Sequence, residues 1–336
     1  MSDKPPAKRS PPCRRKIIVG SIVLLVVIAL ALSLGLGLGL TLGRDDGGDG
    51  DGEEPTLSPL PSPNNTLSWV PKVNDTWQII LSHPPLVSDS VTPDVSIFDI
   101  DLFDSPASTI AQLHKLGKKV ICYFSAGSYE NWRPDAKDFK NDDLGNNLDD
   151  WPGEKWINLN SKNVREIMKK RVEMAKQKGC DGVDPDNVDG YENDNGVGLT
   201  INDSIEYIRY LSMVTSPLNL TLGLKNAKGI ISAVLPLVSF SVNEQCAQYN
   251  ECNDFQPFIA AGKPVFHIEY PGGEGDISQQ IQTYGFGEDT KKKTCTSEGS
   301  NGFSTVLKKM NLDGWVEYCN GGIEATSVDE ATGGHD

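Results

Sequence analysis

A chain of 336 residues that is 38% hydrophobic and 23% charged can bury a real core, which excludes a mostly disordered or collagen-like protein. Its length allows one large domain or two small ones. A formal net charge of −15 argues against nucleic acid as a partner, because phosphate binding needs a basic face.

In chain order, the first feature is a charge boundary. Residues 1–44 hold Lys4, Lys8, Arg9, Arg14, Arg15, Lys16 and Arg44 against the single acid Asp3, a net +6 that leaves −21 for the remainder. From Ile17 to Leu42 the chain is uncharged and apolar, longer than the ~20 residues that cross ~30 Å of hydrocarbon. Arg14, Arg15 and Lys16 precede this run and Asp45, Asp46, Asp49 and Asp51 follow it, so the positive-inside rule puts the N-terminus in the cytosol. The run exceeds a signal-peptide core, and no clear small-residue cleavage site precedes the acidic stretch. The reading is a single-pass type II protein of the plasma membrane with its large folded domain outside: cytoplasmic tail 1–16, transmembrane signal-anchor 17–43, and a Gly/Asp/Pro/Ser linker 44–67 that cannot build a core. Beyond the anchor lie four glycosylation sequons, at Asn64, Asn74, Asn202 and Asn219, and six cysteines. An even number in an oxidising compartment predicts disulfides, with Cys246–Cys252 and Cys295–Cys319 as the expected pairs. No Cys-x-x-Cys pair supports a metal centre, and neither a metal nor a cofactor is expected.

From residue 68 to 325, short apolar runs alternate with amphipathic ones. Eight strands are predicted, at 77–81, 95–100, 119–125, 182–186, 220–224, 238–243, 264–269 and 314–318, with helices at 108–116, 161–178, 201–212 and 302–310. Such alternation implies parallel pairing, and eight units in ~250 residues is the size of a (β/α)8 TIM barrel. A doubly wound sheet is the alternative, but no Gly-rich phosphate loop follows the first strand. The ectodomain is read as a monomer, and residues 326–336 as a disordered tail.

Chemistry in a barrel sits at the C-terminal ends of its strands. Those ends carry Asp99 and Asp101; Tyr123 and Ser125; Asp184, Asp186 and Asp189; Lys225; Glu244; and Glu269 with Tyr270. The strand period of two places Asp99 with Asp101, Tyr123 with Ser125, and Asp184 with Asp186 on common faces. A calcium loop would need closely spaced oxygen ligands, and its spacing is absent from 181–189. Glycoside hydrolysis explains converging carboxylates better, with one protonating the leaving oxygen and another attacking or activating water. Trp132, Trp151, Trp156, Tyr191, Tyr249 and Tyr270 offer faces for sugar rings. Gly-x-Ser-x-Gly, the α/β-hydrolase elbow, is absent. A barrel that only binds a cationic wall polysaccharide, or a glycosidase for another α-linked sugar, remains open on these residues.

The run Gly179-Cys180-Asp181-Gly182-Val183-Asp184-Pro185-Asp186-Asn187-Val188-Asp189, with Ile97-Phe98-Asp99-Ile100-Asp101, Ile121-Cys122-Tyr123-Phe124-Ser125-Ala126-Gly127 and Ser241-Val242-Asn243-Glu244-Gln245-Cys246, resembles glycoside hydrolase family 114, the endo-α-1,4-polygalactosaminidases. The likeness is greatest to membrane-anchored fungal members. The resemblance implies a (β/α)8 barrel that cuts within partly deacetylated galactosaminogalactan. Such a polymer is cationic, and a −21 ectodomain complements it. Carried over by motif, the catalytic pair falls on Asp186 as nucleophile and Glu244 as general acid/base. Asp99, Asp101, Tyr123, Ser125, Lys225, Glu269 and Tyr270 are then candidates for holding the sugar, Asp184 and Asp189 for supporting the pair, and Glu269 for replacing Glu244.

Overall fold

Strands form where the sequence turns continuously apolar, because a parallel sheet is covered on both faces. In the computed structural model, which describes residues 67–273 and 275–334, eight such strands pair in parallel and in chain order: β1 (Trp77–Ile80), β2 (Ile97–Asp101), β3 (Lys119–Ser125), β7 (Gly182–Asp186), β8 (Thr221–Lys225), β9 (Phe240–Glu244), β10 (Val265–Glu269) and β11 (Ser304–Leu307). Two antiparallel strands, β12 (Trp315–Tyr318) and β13 (Ile323–Ala325), extend the sheet to ten. It curls until β1 faces β11 and β12, where side chains replace the backbone ladder: Trp77 Nε1 donates to the Ser304 carbonyl at 2.7 Å, Gln78 Nε2 to that of Gly314 at 3.0 Å, and Tyr318 OH to that of Trp77 at 3.1 Å. Among the described residues no helix is long and apolar enough to cross a membrane, and the expected anchor, 17–43, lies outside them.

Helices cover the outer face of the sheet. The longest among the described residues, α2 (Lys162–Lys178), starts at Ser161, whose Oγ accepts from the amides of Asn163 and Val164, and stops at Gly179 in the left-handed region (φ 99°). Its buried positions, Val164, Ile167, Met168, Arg171, Val172 and Ala175, recur at helical spacing and pack on the sheet. Helix α3 (Ile201–Thr215) begins with a Thr200/Asp203 capping box, and α1 (Ala107–Lys115) follows β2. The barrel interior is filled from below by Trp77, Ile79, Ile97, Ile121, Phe240 and Phe266. Gly223 makes room there, since a Cβ would lie 2.4 Å from the Phe240 ring.

Three expectations are corrected. The run 302–310 is a strand, not a helix: its β-branched Thr305 and Val306 enter the sheet as β11, so the parallel ring ends there and the expected eighth strand, 314–318, is an antiparallel addition. Residues 326–334 are not a free tail: Val328 bridges to Pro85, and the amides of Asp329 and Gly334 donate to the carbonyls of Pro84 and Ser82. Sequence reading also passed over a small antiparallel sheet between β3 and α2, formed by β4 (Ser128–Glu130), β6 (Glu154–Ile157) and β5 (Leu144–Asn147). Both expected disulfides are present, and Cys122–Cys180 makes a third.

Candidate active site

Strand parity turns Tyr123, Asp184, Asp186, Lys225, Glu244 and Tyr270 toward the barrel interior, and at its C-terminal end they meet. Lys225 is the hub. Its ammonium lies 2.9 Å from Asp186 Oδ2 and 2.9 Å from Glu244 Oε2, with its side chain almost wholly buried. The two carboxylate oxygens are therefore no farther apart than twice that distance. Tyr123 OH donates to Asp186 Oδ2 at 3.0 Å, the Asn187 amide donates to Asp186 Oδ1 at 2.7 Å, and Tyr270 OH donates to Glu244 Oε1. Asn226, which sequence reading left out of the site, holds Glu244 twice: its Nδ2 donates to Oε2 at 3.1 Å, and its Oδ1 accepts from the Glu244 amide at 2.9 Å. Its position directly after Lys225 at a strand end was the available signal.

The backbone around this cluster is strained in a consistent way. Asn187, Asn226, Ala227 and Gln245, the residues that follow Asp186, Lys225 and Glu244, all have positive φ, between 48° and 60°. Left-handed backbone at non-glycine positions costs free energy and concentrates at functional sites, where it aims side chains that regular strands would not. Gly127 serves the same turn. Its amide donates to the Asp186 carbonyl at 2.9 Å, and a Cβ there would lie 1.6 Å from the Asn187 carbonyl oxygen.

Electrostatics separate the acids by role. Burial works to raise the Glu244 pKa, but Lys225 and the hydrogen bonds from Tyr270, Lys225 and Asn226 outweigh it, so Glu244 is held below the ordinary glutamate range. For Lys225, burial is outweighed by Asp186, Glu244 and Asp184, and its pKa is raised. Beneath the lysine, Asp99 and Asp184 are fully buried, and none of their four carboxylate oxygens has a hydrogen-bond partner among the described residues. An ionised carboxylate cannot stay there uncompensated. Burial, partly offset by Lys225, pushes Asp99 up to about 8; burial and the neighbouring Asp99 push Asp184 up as well. Asp99 is thereby held mostly protonated at pH 7, and Asp184 is pushed in the same direction. Asp189, half-buried beside the pair, is pushed up to about 7 by burial and then by Asp186.

The remaining expected site residues do other work. Ser125 is buried and accepts from Asn187 Nδ2 at 2.9 Å, which steadies the turn after Asp186. Asp101 is locked by Arg133, at 2.6 Å and 3.1 Å, and by the amides of Phe103 and Asp104. Its carboxylate, expected to hold the sugar, is engaged in this buried ion pair. Glu269 is likewise corrected as a reserve for Glu244: alternation along β10 turns it away from the interior, where it accepts from the Ala247 amide at 2.7 Å and lies 2.9 Å from His267 Nε2. Cys246, Cys252 and His267 converge there, but the cysteines are spent in a disulfide, which leaves no thiolate set for a metal.

Paired carboxylates at strand ends of a curled parallel sheet have a counterpart among known proteins. The family model for glycoside-hydrolase family GH114 matches residues 58–324. The chain belongs to that family. It is a glycoside hydrolase. The crystal structure of Aspergillus fumigatus Ega3 in complex with galactosamine is 54% identical, with a TM-score of 0.70, covering 76% of this chain and 98% of that one. The glycoside hydrolase domain of PelA from Pseudomonas aeruginosa shares the fold at 13% identity, with a TM-score of 0.52, covering 70% of this chain and 95% of that one. No curated protein matches.

Proposed function

We propose that this GH114 hydrolase cleaves internal α-1,4-galactosaminidic bonds of partly deacetylated galactosaminogalactan, with Asp186 and Glu244 as the catalytic pair. The observation that carries the reading is the shared ammonium of Lys225: it bounds the facing carboxylate oxygens below the ~6.5–9.5 Å of inverting glycosidases and within reach of the ~5–5.5 Å of retaining ones. Asp186 attacks the anomeric carbon while Glu244 passes a proton to the leaving oxygen. Glu244 then takes a proton from the water that hydrolyses the glycosyl ester, and the anomeric configuration is retained. At rest Glu244 is ionised. The acid step therefore requires Glu244 to take up a proton from solvent first, and displacement of Lys225 from Oε2 by the entering sugar favours this by removing the largest influence that opposes burial, leaving the hydrogen bonds from Tyr270 and Asn226. The galactosamine held by the 54% identical Ega3 supports an aminosugar substrate, and the excess of carboxylates supports a cationic one.

We also propose that residues 17–43 anchor the monomeric enzyme with its catalytic domain outside the cell. The charge step across 1–51 supports this, as do three disulfides, which persist in oxidising compartments, and the exposed sequon residues Asn74, Asn202 and Asn219. The test of activity is release of reducing ends from deacetylated and fully acetylated polymer by the full chain, Asp186→Asn and Glu244→Gln. Cleavage of the deacetylated polymer, lost in both variants, is expected. Cleavage that survives either substitution overturns the assignment of the pair, and a parent that releases no ends overturns the substrate. Protease treatment of intact cells that spares the catalytic domain would overturn the topology.

A further inference from the structure

Beside the catalytic pair lies a cavity of about 280 Å³ that the chemistry above does not use. One wall is the end of β5, with Asn146, and the loop from it to β6, with Asp149 and Trp151; the other is the segment that follows Asp186, with Asn187, Asp189 and Asp194. The walls are tied to each other: the Asn146 amide donates to the Asn195 carbonyl at 3.0 Å, and Asn146 Nδ2 donates to that of Asp194 at 3.1 Å. Two features of this cavity are unexplained by folding. Trp151 is 53% exposed, an apolar surface left to water. Asp149, Asp189 and Asp194 contribute three carboxylates, and none has a cationic partner within ion-pair distance among the described residues.

We infer that this cavity is a second sugar subsite, in which Trp151 stacks on one unacetylated hexosamine ring of the polymer while Asp149, Asp189 and Asp194 receive its ammonium. Each part answers one of the unexplained features. An aromatic face matches the apolar side of a pyranose, and a partly desolvated ammonium among unpaired carboxylates gains a charge-assisted hydrogen bond. The Nδ2 groups of Asn146 and Asn187 are already engaged, which leaves their Oδ1 atoms to accept from ring hydroxyls. Asn187, which lines the cavity, directly follows Asp186, so the cavity opens next to the catalytic pair. An N-acetyl group removes the charge and leaves the carboxylates without a partner, so the cavity selects free amines by omission as well as by attraction. This inference rests on the galactosaminidase reading for its ligand, but its test does not require turnover.

The test is calorimetric binding of an α-1,4-linked galactosamine trimer and of its N-acetylated counterpart to the full chain. The variants are Trp151→Ala, the double variant Asp149→Asn/Asp194→Asn, and Tyr284→Ala as a remote exposed aromatic control. Trp151→Ala and the double variant raise the Kd for the amine trimer about tenfold each, 1.4 kcal/mol by the affinity relation. Tyr284→Ala leaves it unchanged, and the double variant binds the acetylated trimer as the parent does. An amine-trimer Kd unaffected by both cavity variants overturns the subsite, as does an equal loss for both trimers in the double variant. If the parent binds the trimer through Trp151 but releases no reducing ends, the hydrolytic reading fails and the subsite stands.

Discussion

Replacing Asp99 by Asn tests the idea that neutral acids underlie the active site. Asp99 is fully buried without a hydrogen-bond partner among the described residues, and burial raises its pKa to about 8, against roughly 3.9 in an unfolded chain. The sign follows from linkage. Above pH 4 the unfolded chain loses this proton while the folded chain keeps it, so stability falls with rising pH, by up to about 1.36 kcal/mol per pH unit, until the folded carboxyl itself ionises near pH 8. Asparagine has the shape of the protonated acid and no such penalty. Between pH 4 and pH 7 the stability of Asp99→Asn relative to the parent therefore improves by about 4 kcal/mol, a large share of the roughly 5–15 kcal/mol typical of a domain. Urea unfolding of both proteins at half-unit steps from pH 4 to pH 9 measures it. A relative stability that is flat with pH, or that moves against the variant as pH rises, would refute the reasoning, because Asp99 would then be an ionised partner of Lys225.

Lys225→Met removes the charge between Asp186 and Glu244, each 2.9 Å from it; a broken buried ion pair costs about 3–5 kcal/mol, and kcat should fall at least a hundredfold on reducing-end assay. The same variant frees Glu244 to respond to burial, so any residual activity shifts its pH profile upward; a profile that moves down would contradict the role given to Lys225. Asn226→Ala leaves Glu244 without two of its hydrogen bonds and should lower kcat by about tenfold to a hundredfold with KM little changed, measured on the deacetylated polymer. Gly127→Ala forces a Cβ against the Asn187 carbonyl; the expected result is a loss of at least tenfold in kcat/KM, since the turn that carries Asp186 must move. Thermal unfolding of that variant should shift far less than its activity does.

How far the site was legible depends on which signal each residue rests on. Asp186, Lys225 and Glu244 stand at the ends of β7, β8 and β9, and because the strand period of two is rigid, knowing the strands was enough to turn all three inward. The same parity, applied to β10, separates Tyr270 from Glu269; counting from a strand end alone put both in the site, and only the register shows that Glu269 faces Ala247 and His267. Asp101 carries an ion pair that no local signal announced. Its face was right, but its partner Arg133 is 32 residues away in a segment where the sequence offered no clear periodicity.

The fold was legible where long stretches agree and illegible where short ones conflict. Helix α2 announces itself through a cap, seventeen residues of period and a terminal glycine. The run 302–310 has only four strand residues followed by Lys308 and Lys309, which read as the polar face of a helix. Both lysines are in fact buried: Lys308 reaches the Asp313 carbonyl at 2.6 Å and Gln78 Oε1 at 3.2 Å, and Lys309 pairs with Asp313 at 2.7 Å. A charged residue enters a core only when distant parts of the chain supply its partners, and Gln78 lies 230 positions from Lys308. The pairing that makes 304–307 a strand is with β10, and the Ser304 carbonyl also accepts from Trp77 of β1, so no pattern local to 302–310 could reveal either partner.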